Sequence, residues 1–224
     1  MSVPSYEGKT YVGYLDISGF KQIMKHENKV ERVLDEFYST LYSTVYDVNS
    51  DANPIKMNVV AVSDCAVLFL NKGEHDDVDQ NAGLPKMLQF IKTVNRVFIN
   101  RESSSFMTTC SIAYGDFNFE NRKDSDHIRK NCLRGLAYVE AYLDNEKENE
   151  KMTPGKCRIL KRGLSIDLSQ DSEFALLKQE KQYYYYYWML SNPHEISLFK
   201  HKYEQTLEEM YDKLMRLLRS PTSQ

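Results

Sequence analysis

The chain has 224 residues, 42% of them hydrophobic, with 29 basic side chains against 32 acidic ones and a formal net charge of -3. That balance excludes a global basic field for nucleic acid or an anionic membrane, and the length suits a domain with a substantial core. No apolar run of about 18 residues occurs, and Met1 to Glu7 has no apolar signal core, so a cytoplasmic protein with neither a membrane nor a nucleic-acid partner is expected. Cys65, Cys110, Cys132 and Cys157 are far apart and form no CxxC pair, which favours reduced thiols over a disulfide or zinc framework.

Alternation from Thr10 to Asp16 predicts a first strand, and Val30, Val33, Leu34, Phe37, Leu41 and Val45 mark an amphipathic helix over 29–47. Met57 to Val62 and Cys65 to Leu70 are β-rich runs joined at Ser63-Asp64, the pattern of a hairpin with an acid at its tip. A second helix follows at Leu84 to Phe98, then a strand from Phe106 that ends at Gly115-Asp116. The polar stretch Asn118 to Asn131 reads as a surface loop, Gly135 to Asn145 as a helix, and Lys156 to Leu160 and Tyr183 to Trp188 as strands. After Pro193, Ile196, Phe199, Tyr203, Leu207, Met210, Leu214 and Leu217 recur at helical spacing, either as a coiled-coil seam or as a helix packed back on the domain. The expected fold is α+β, a ferredoxin-like βαββαβ palm core with helices on one sheet face, in a domain over 1–190 with a helical extension over 191–224.

Two aspartates, Asp16 and Asp64, each stand where an apolar run gives way to a turn. An aspartate there also suits an N-cap or a tight turn. As a pair, the two offer hard oxygen donors to Mg²⁺ or Mn²⁺, ions that sites for nucleoside triphosphates hold with one or two carboxylates plus the substrate's phosphates. Ser18, Gly19, Phe20 and Lys21, at a strand-to-helix turn, can present backbone N–H groups to those phosphates.

Asp16-Ile17-Ser18-Gly19-Phe20, the hairpin Asp64, Ala113-Tyr114-Gly115-Asp116 and Gly135-Leu136-Ala137-Tyr138-Val139-Glu140-Ala141-Tyr142 together resemble class III nucleotidyl cyclases over residues 10–160, most closely the pyrimidine cyclases of bacterial anti-phage signalling. The resemblance implies two divalent ions on Asp16, Asp64 and the carbonyl of Ile17. It further implies a head-to-tail homodimer with shared sites, and conversion of a nucleoside triphosphate to a 3',5'-cyclic nucleotide and pyrophosphate. In adenylyl and guanylyl cyclases the last helix carries an Asn and, four residues later, an Arg; matched through Gly135 and Ala137 these fall on Val139 and Leu143. The purine-reading pair falls on Val60 and Cys132, which points to UTP or CTP as substrate. Arg134, Arg158 and Lys161 are the candidate replacement cations by position. A catalytically degenerate, nucleotide-binding relative is the alternative.

Overall fold

The structure is a computed structural model that describes residues 3–101, 106–125, 128–147, 150–168, 174–207, 211–219 and 221. Two long antiparallel strands, β1 (Tyr6–Ile17) and β4 (Thr108–Ser125), form the centre of one sheet, with Tyr6 opposite Phe119 and Ile17 opposite Thr108. A hairpin of β2 (Lys56–Val62) and β3 (Cys65–Asn71) adds to the other edge of β1 through β3. On the far side of β4 lie β5 (Ile128–Arg134), paired to its distal part, and β6 (Cys157–Leu160), which runs parallel to it. A second hairpin of β7 (Leu177–Glu180) and β8 (Tyr183–Tyr186) completes the order β2-β3-β1-β4-β6-β8-β7.

Period-two alternation divides β1 between two apolar clusters. Tyr11, Leu15 and Ile17 enter the larger one; Tyr6, Val12 and Tyr14 enter the smaller. Helices α2 (Glu27–Val48) and α3 (Gln80–Asn100) cover the larger cluster, where Phe98 lies 5.7 Å from Phe37 and 4.5 Å from Phe106. The Asp79 side chain caps α3 by accepting from Ala82 N at 2.9 Å. A single turn of helix, α1 (Phe20–Ile23), precedes α2. Helices on one face were expected; α2 and α3 obey, whereas α4 (Leu136–Asn145) packs Ala137 and Ala141 on the opposite face, over the smaller cluster. Small residues at those two positions bring the helix close to the sheet.

The expected loop at Asn118 to Asn131 is instead the β4–β5 hairpin, within the described residues of that stretch. Its polar composition concealed the alternation that decides the matter: Phe117 and Phe119 are buried within 5.0 and 5.4 Å of Phe69. Gly115-Asp116 therefore lies within β4 and does not end it. Gly135 links β5 to α4 at φ 121°, and a Cβ there would stand 2.3 Å from the Asp116 carbonyl. Gly135→Ala is accordingly expected to cost at least about 1–3 kcal/mol in urea unfolding, through backbone strain at this junction.

After a 3₁₀ turn at Pro193–Glu195, capped by Asn192 accepting from His194 N, the chain forms α5 (Ile196–Leu207) and α6 (Tyr211–Arg219). The apolar stripe packs back on the domain: Ile196, Phe199, Tyr203, Leu214, Met215 and Leu218 all join the larger cluster. Met210 and His127 lie outside the described residues. All four cysteines are free. No described helix is long and apolar enough to cross a membrane.

Candidate active site

Asp16 and Asp64 are brought together by main-chain hydrogen bonding. Asp16 lies opposite Cys65 in the β1–β3 register, so Asp64 sits one residue beyond, and Ile17 N donates to Asp64 O at 3.0 Å. Val62 pairs with Cys65, leaving Ser63 and Asp64 as the hairpin turn, with Ser63 at φ 54°. Helix α2 fixes this tip: the Tyr38 hydroxyl donates to Ser63 O at 2.8 Å.

The parity of β1 places Asp16 on the α4 face, with Tyr14. Burial pushes the Asp16 carboxyl up to about 7, helped by the charges of Asp64 and then Glu146 and opposed by Lys151. Glu146 ends α4 and Lys151 follows it, so the end of that helix frames the pair. Tyr14 stacks edge-on with Tyr142 at 5.2 Å and hydrogen-bonds Cys65. Burial pushes the Cys65 thiol up, so it stands in the site as a neutral group.

With no cation beside it, the half-buried Asp16 carboxyl gains proton affinity from the neighbouring Asp64 charge. The donor set fits Mg²⁺ or Mn²⁺: two carboxylates, no histidine, and among the described residues no group of three acidic, histidine or cysteine side chains at metal-holding distance. Such ions complete their shell with water and substrate phosphate. The Ile17 side chain is a hydrocarbon buried in the core, so only its main-chain carbonyl could serve an ion. In metal-free protein the raised carboxyl has a stability signature. Between about pH 4 and pH 7 the folded state holds a proton on Asp16 that the unfolded chain has released, so rising pH lowers stability across that window and no further above it. In chelator, Asp16→Asn is expected to melt above the wild type at pH 8, with the two curves converging at pH 4.

The turn after Ile17 places the phosphate candidates unequally. Ser18 N is committed to Met107 O at 2.9 Å, while its Oγ is buried with no hydrogen-bond partner. The N–H groups of Gly19, Phe20 and Lys21 donate no hydrogen bond among the described residues. Gly19 has φ 78°, and a Cβ there would meet nothing within 4 Å, so the turn opens on free space. Phe20 anchors it in the core, and Lys21 is exposed.

Arg134 stands elsewhere. It pairs with Asn118 at the far end of β4, nine residues from Thr109 opposite Asp16, so about 30 Å of strand separates it from the aspartates of its own chain. Its guanidinium donates to Glu120 at 2.9 Å. Arg158 is also unavailable: it is 3% exposed and holds Asp144 through Nε at 2.7 Å. Lys161 lies with its Nζ 5.6 Å from the centre of the Tyr184 ring. The cation that does act on Asp16 is Lys151, which lines a cavity of about 250 Å³ with Lys156, Arg158 and Lys181. No sequence signal marked it, because its segment is a mixed charge tract between α4 and β6. Val139 and Leu143 are exposed on α4, with Leu136 and Tyr142 beside them.

No protein-family model and no curated protein matches the chain in sequence. Solved structures do match in three dimensions. The non-canonical dimeric guanylyl cyclase domain of the RhoGC fusion protein from the aquatic fungus Blastocladiella emersonii superposes with a TM-score of 0.58 at 13% identity, over 83% of this chain and 98% of that one. The adenylyl cyclase CyaB from P. aeruginosa gives 0.55 at 13%, over 82% and 95%. The guanylate cyclase domain of RhGC from Catenaria anguillulae, in complex with GTP, gives 0.54 at 13%, over 70% and 80%. The fold is the nucleotidyl cyclase fold. Within that cyclase fold, Asp16 and Asp64 lie at one end of the central strand and its neighbouring hairpin.

Proposed function

We propose that the chain is a metal-dependent nucleotide cyclase that converts a nucleoside triphosphate, UTP or CTP by preference, to its 3',5'-cyclic monophosphate and pyrophosphate, in the anti-phage signalling role that its sequence resemblance implies. The observation that carries the reading is the paired carboxylates of Asp16 and Asp64 beside a turn with three free N–H groups, on a cyclase fold. Asp16, Asp64 and the Ile17 carbonyl would hold two Mg²⁺ or Mn²⁺ ions, which supply charge neutralisation of the triphosphate and a lowered pKa at the ribose 3'-hydroxyl. Gly19, Phe20 and Lys21 orient the phosphates through their N–H groups, and Lys151 adds a positive charge on the same side. The 3'-hydroxyl releases its proton to solvent, its oxygen forms a bond to the α-phosphorus, the bond from that phosphorus to the bridging oxygen breaks, and pyrophosphate leaves.

The working unit is a head-to-tail homodimer. The apolar stripe of Leu136, Val139, Tyr142 and Leu143 on α4 supports it, since monomers seldom expose such runs. Arg134, remote from its own aspartates, serves the site of a partner subunit. Asp16→Ala and Arg134→Ala, each inactive as purified, are then expected to recover about a quarter of wild-type activity after mixing and subunit exchange, because mixed dimers keep one intact site. Lack of recovery, with exchange verified by mass, would refute shared sites.

Incubation with each of the four ribonucleoside triphosphates and Mn²⁺, with products identified by mass, tests the activity itself. Cyclic UMP or CMP is expected; no cyclic product above the Asp16→Ala background from any of the four would remove the enzyme reading. A degenerate cyclase fold that binds nucleotide without turnover is the second reading, favoured by the apolar Val139 and Leu143. Calorimetric binding without product, unchanged in Asp64→Ala, would establish it.

A further inference from the structure

A second cavity, of about 120 Å³, opens between α5 and the paired strands β6 and β8, lined by Lys156, Tyr185, Phe199, Lys200, Tyr203 and Glu204 among others. Two of its charges are already matched, because Lys200 donates to Glu180 at 2.8 Å. Lys156 is different. Its ammonium lies 5.3 Å from the ring centre of Tyr203 and 5.8 Å from that of Tyr185, and among the described residues it makes no side-chain hydrogen bond or ion pair. An ammonium has three donors, and ring faces satisfy none of them with an acceptor atom. Glu204, the other unmatched charge on this cavity, is not within ion-pair distance of Lys156 or Lys200. It sits at the exposed rim.

We propose that this cavity binds a small monocarboxylate with a flat apolar body, its carboxylate on Lys156 and its body between Tyr185, Phe199 and Tyr203. Each part of that description has a cause. Aromatic walls favour a flat apolar ligand, and Phe199 and Tyr203 are nearly fully buried and already packed on each other at 6.0 Å, so the walls are preformed. The Lys156 ammonium has no acceptor atom in bonding reach, and a single carboxylate supplies one. Glu204 opposes a second negative charge, which disfavours phosphate dianions and nucleotides. Burial also lowers the Lys156 pKa, with Glu180 and Glu204 opposing that shift, so an arriving carboxylate restores solvation that the ammonium lacks. The site shares Lys156 with the cavity that Lys151 lines but includes neither Asp16 nor Asp64, and it holds whether or not the chain is a cyclase.

The only tryptophan, Trp188, supplies a reporter: it is fully buried, and its Nε1 donates to Gly155 O, at 2.8 Å, on the cavity wall. Titration of the full chain with sodium benzoate, followed by Trp188 fluorescence, is expected to saturate, with affinity weaker by about tenfold or more in Lys156→Met, which keeps the apolar stem and loses the charge. Glu204→Gln, a surface change that leaves folding intact, is expected to tighten benzoate severalfold. Asp16→Ala should bind as the wild type does, and inorganic phosphate should give no saturable response. The proposal is overturned by a flat benzoate titration, by equal affinity in a folded Lys156→Met, by phosphate binding as tightly as benzoate, or, should Lys156→Met not fold, by unchanged affinity in Glu204→Gln.

Discussion

Asp16→Asn and Asp64→Asn should each lower cyclic-nucleotide formation by at least about 100-fold, as expected when a group that places positive charge against a transferring phosphoryl group is lost. The diagnostic lies in the contrast with stability. A carboxyl lifted to about 7 by burial and by Asp64 lowers the stability of the metal-free fold at neutral pH. Asp16→Asn should therefore fall in activity while it rises in melting temperature. A turn-forming or capping aspartate gives the opposite stability result, because its removal costs about 1 kcal/mol. Steady-state turnover and a thermal melt in chelator, on the same preparation, separate the two. A mutant that loses both would reassign Asp16 to the architecture.

Asp144→Ala should unfold at markedly lower urea concentration, with a loss of about 3–5 kcal/mol, because it strands a buried guanidinium. Arg158 and Asp144 are 3% and 5% exposed; Arg158 meets the carboxylate through Nε at 2.7 Å and Nη2 at 2.9 Å. Ser111 and the Tyr183 hydroxyl donate to the same carboxylate, and the guanidinium carbon lies 4.3 Å from the centre of the Tyr183 ring. The cluster thus joins α4 to β4, β6 and β8. Removing the Asp144 carboxylate leaves the guanidinium without its counter-charge, and Ser111 without its acceptor, in a low-dielectric setting, although Arg158 keeps the carbonyls of Asp144 and Glu150 and Tyr183 keeps Glu150. Replacing both charges, as Asp144→Leu with Arg158→Met, should recover much of the loss. Arg134→Ala makes the control: its pair with Glu120 has an Arg134 side chain 62% exposed, so the change should stay within about 1 kcal/mol.

How much of this was legible in the residues depended on which faces they use. Both long helices show a clear period, since each has a buried face and a wetter one, while the first strand and the Ser63-Asp64 hairpin were legible as short β-rich runs bounded by turn residues, β1 and β3 being buried on both faces. The β4–β5 arm hid behind polar composition, as its apolar anchors are only every second residue at one end, Phe117 and Phe119. Asp16 and Asp64 were readable because strand ends and hairpin tips carry local signatures. The Ser18–Lys21 turn was readable as a turn, yet not in its hydrogen bonding: that Ser18 N is taken by Met107 depends on a residue 89 positions later in the chain, just before β4. Arg158 looked like a free cation for the same reason. Its partner Asp144 lies 14 residues away across a helix–strand contact that no periodicity announces. Lys151 was invisible because its relevance is a matter of where α4 ends relative to β1.

The bond from Ile17 N to Asp64 O has one more implication. It makes the spacing of the two acids a property of the polypeptide ladder, independent of which side chains flank them. Neighbouring residues along both segments are then at liberty to diverge, provided strand pairing survives, without disturbing the pair's separation. A geometry stored in main-chain pairing in this way tolerates wholesale replacement of its surroundings, and a shape shared at 13% identity is compatible with such replacement.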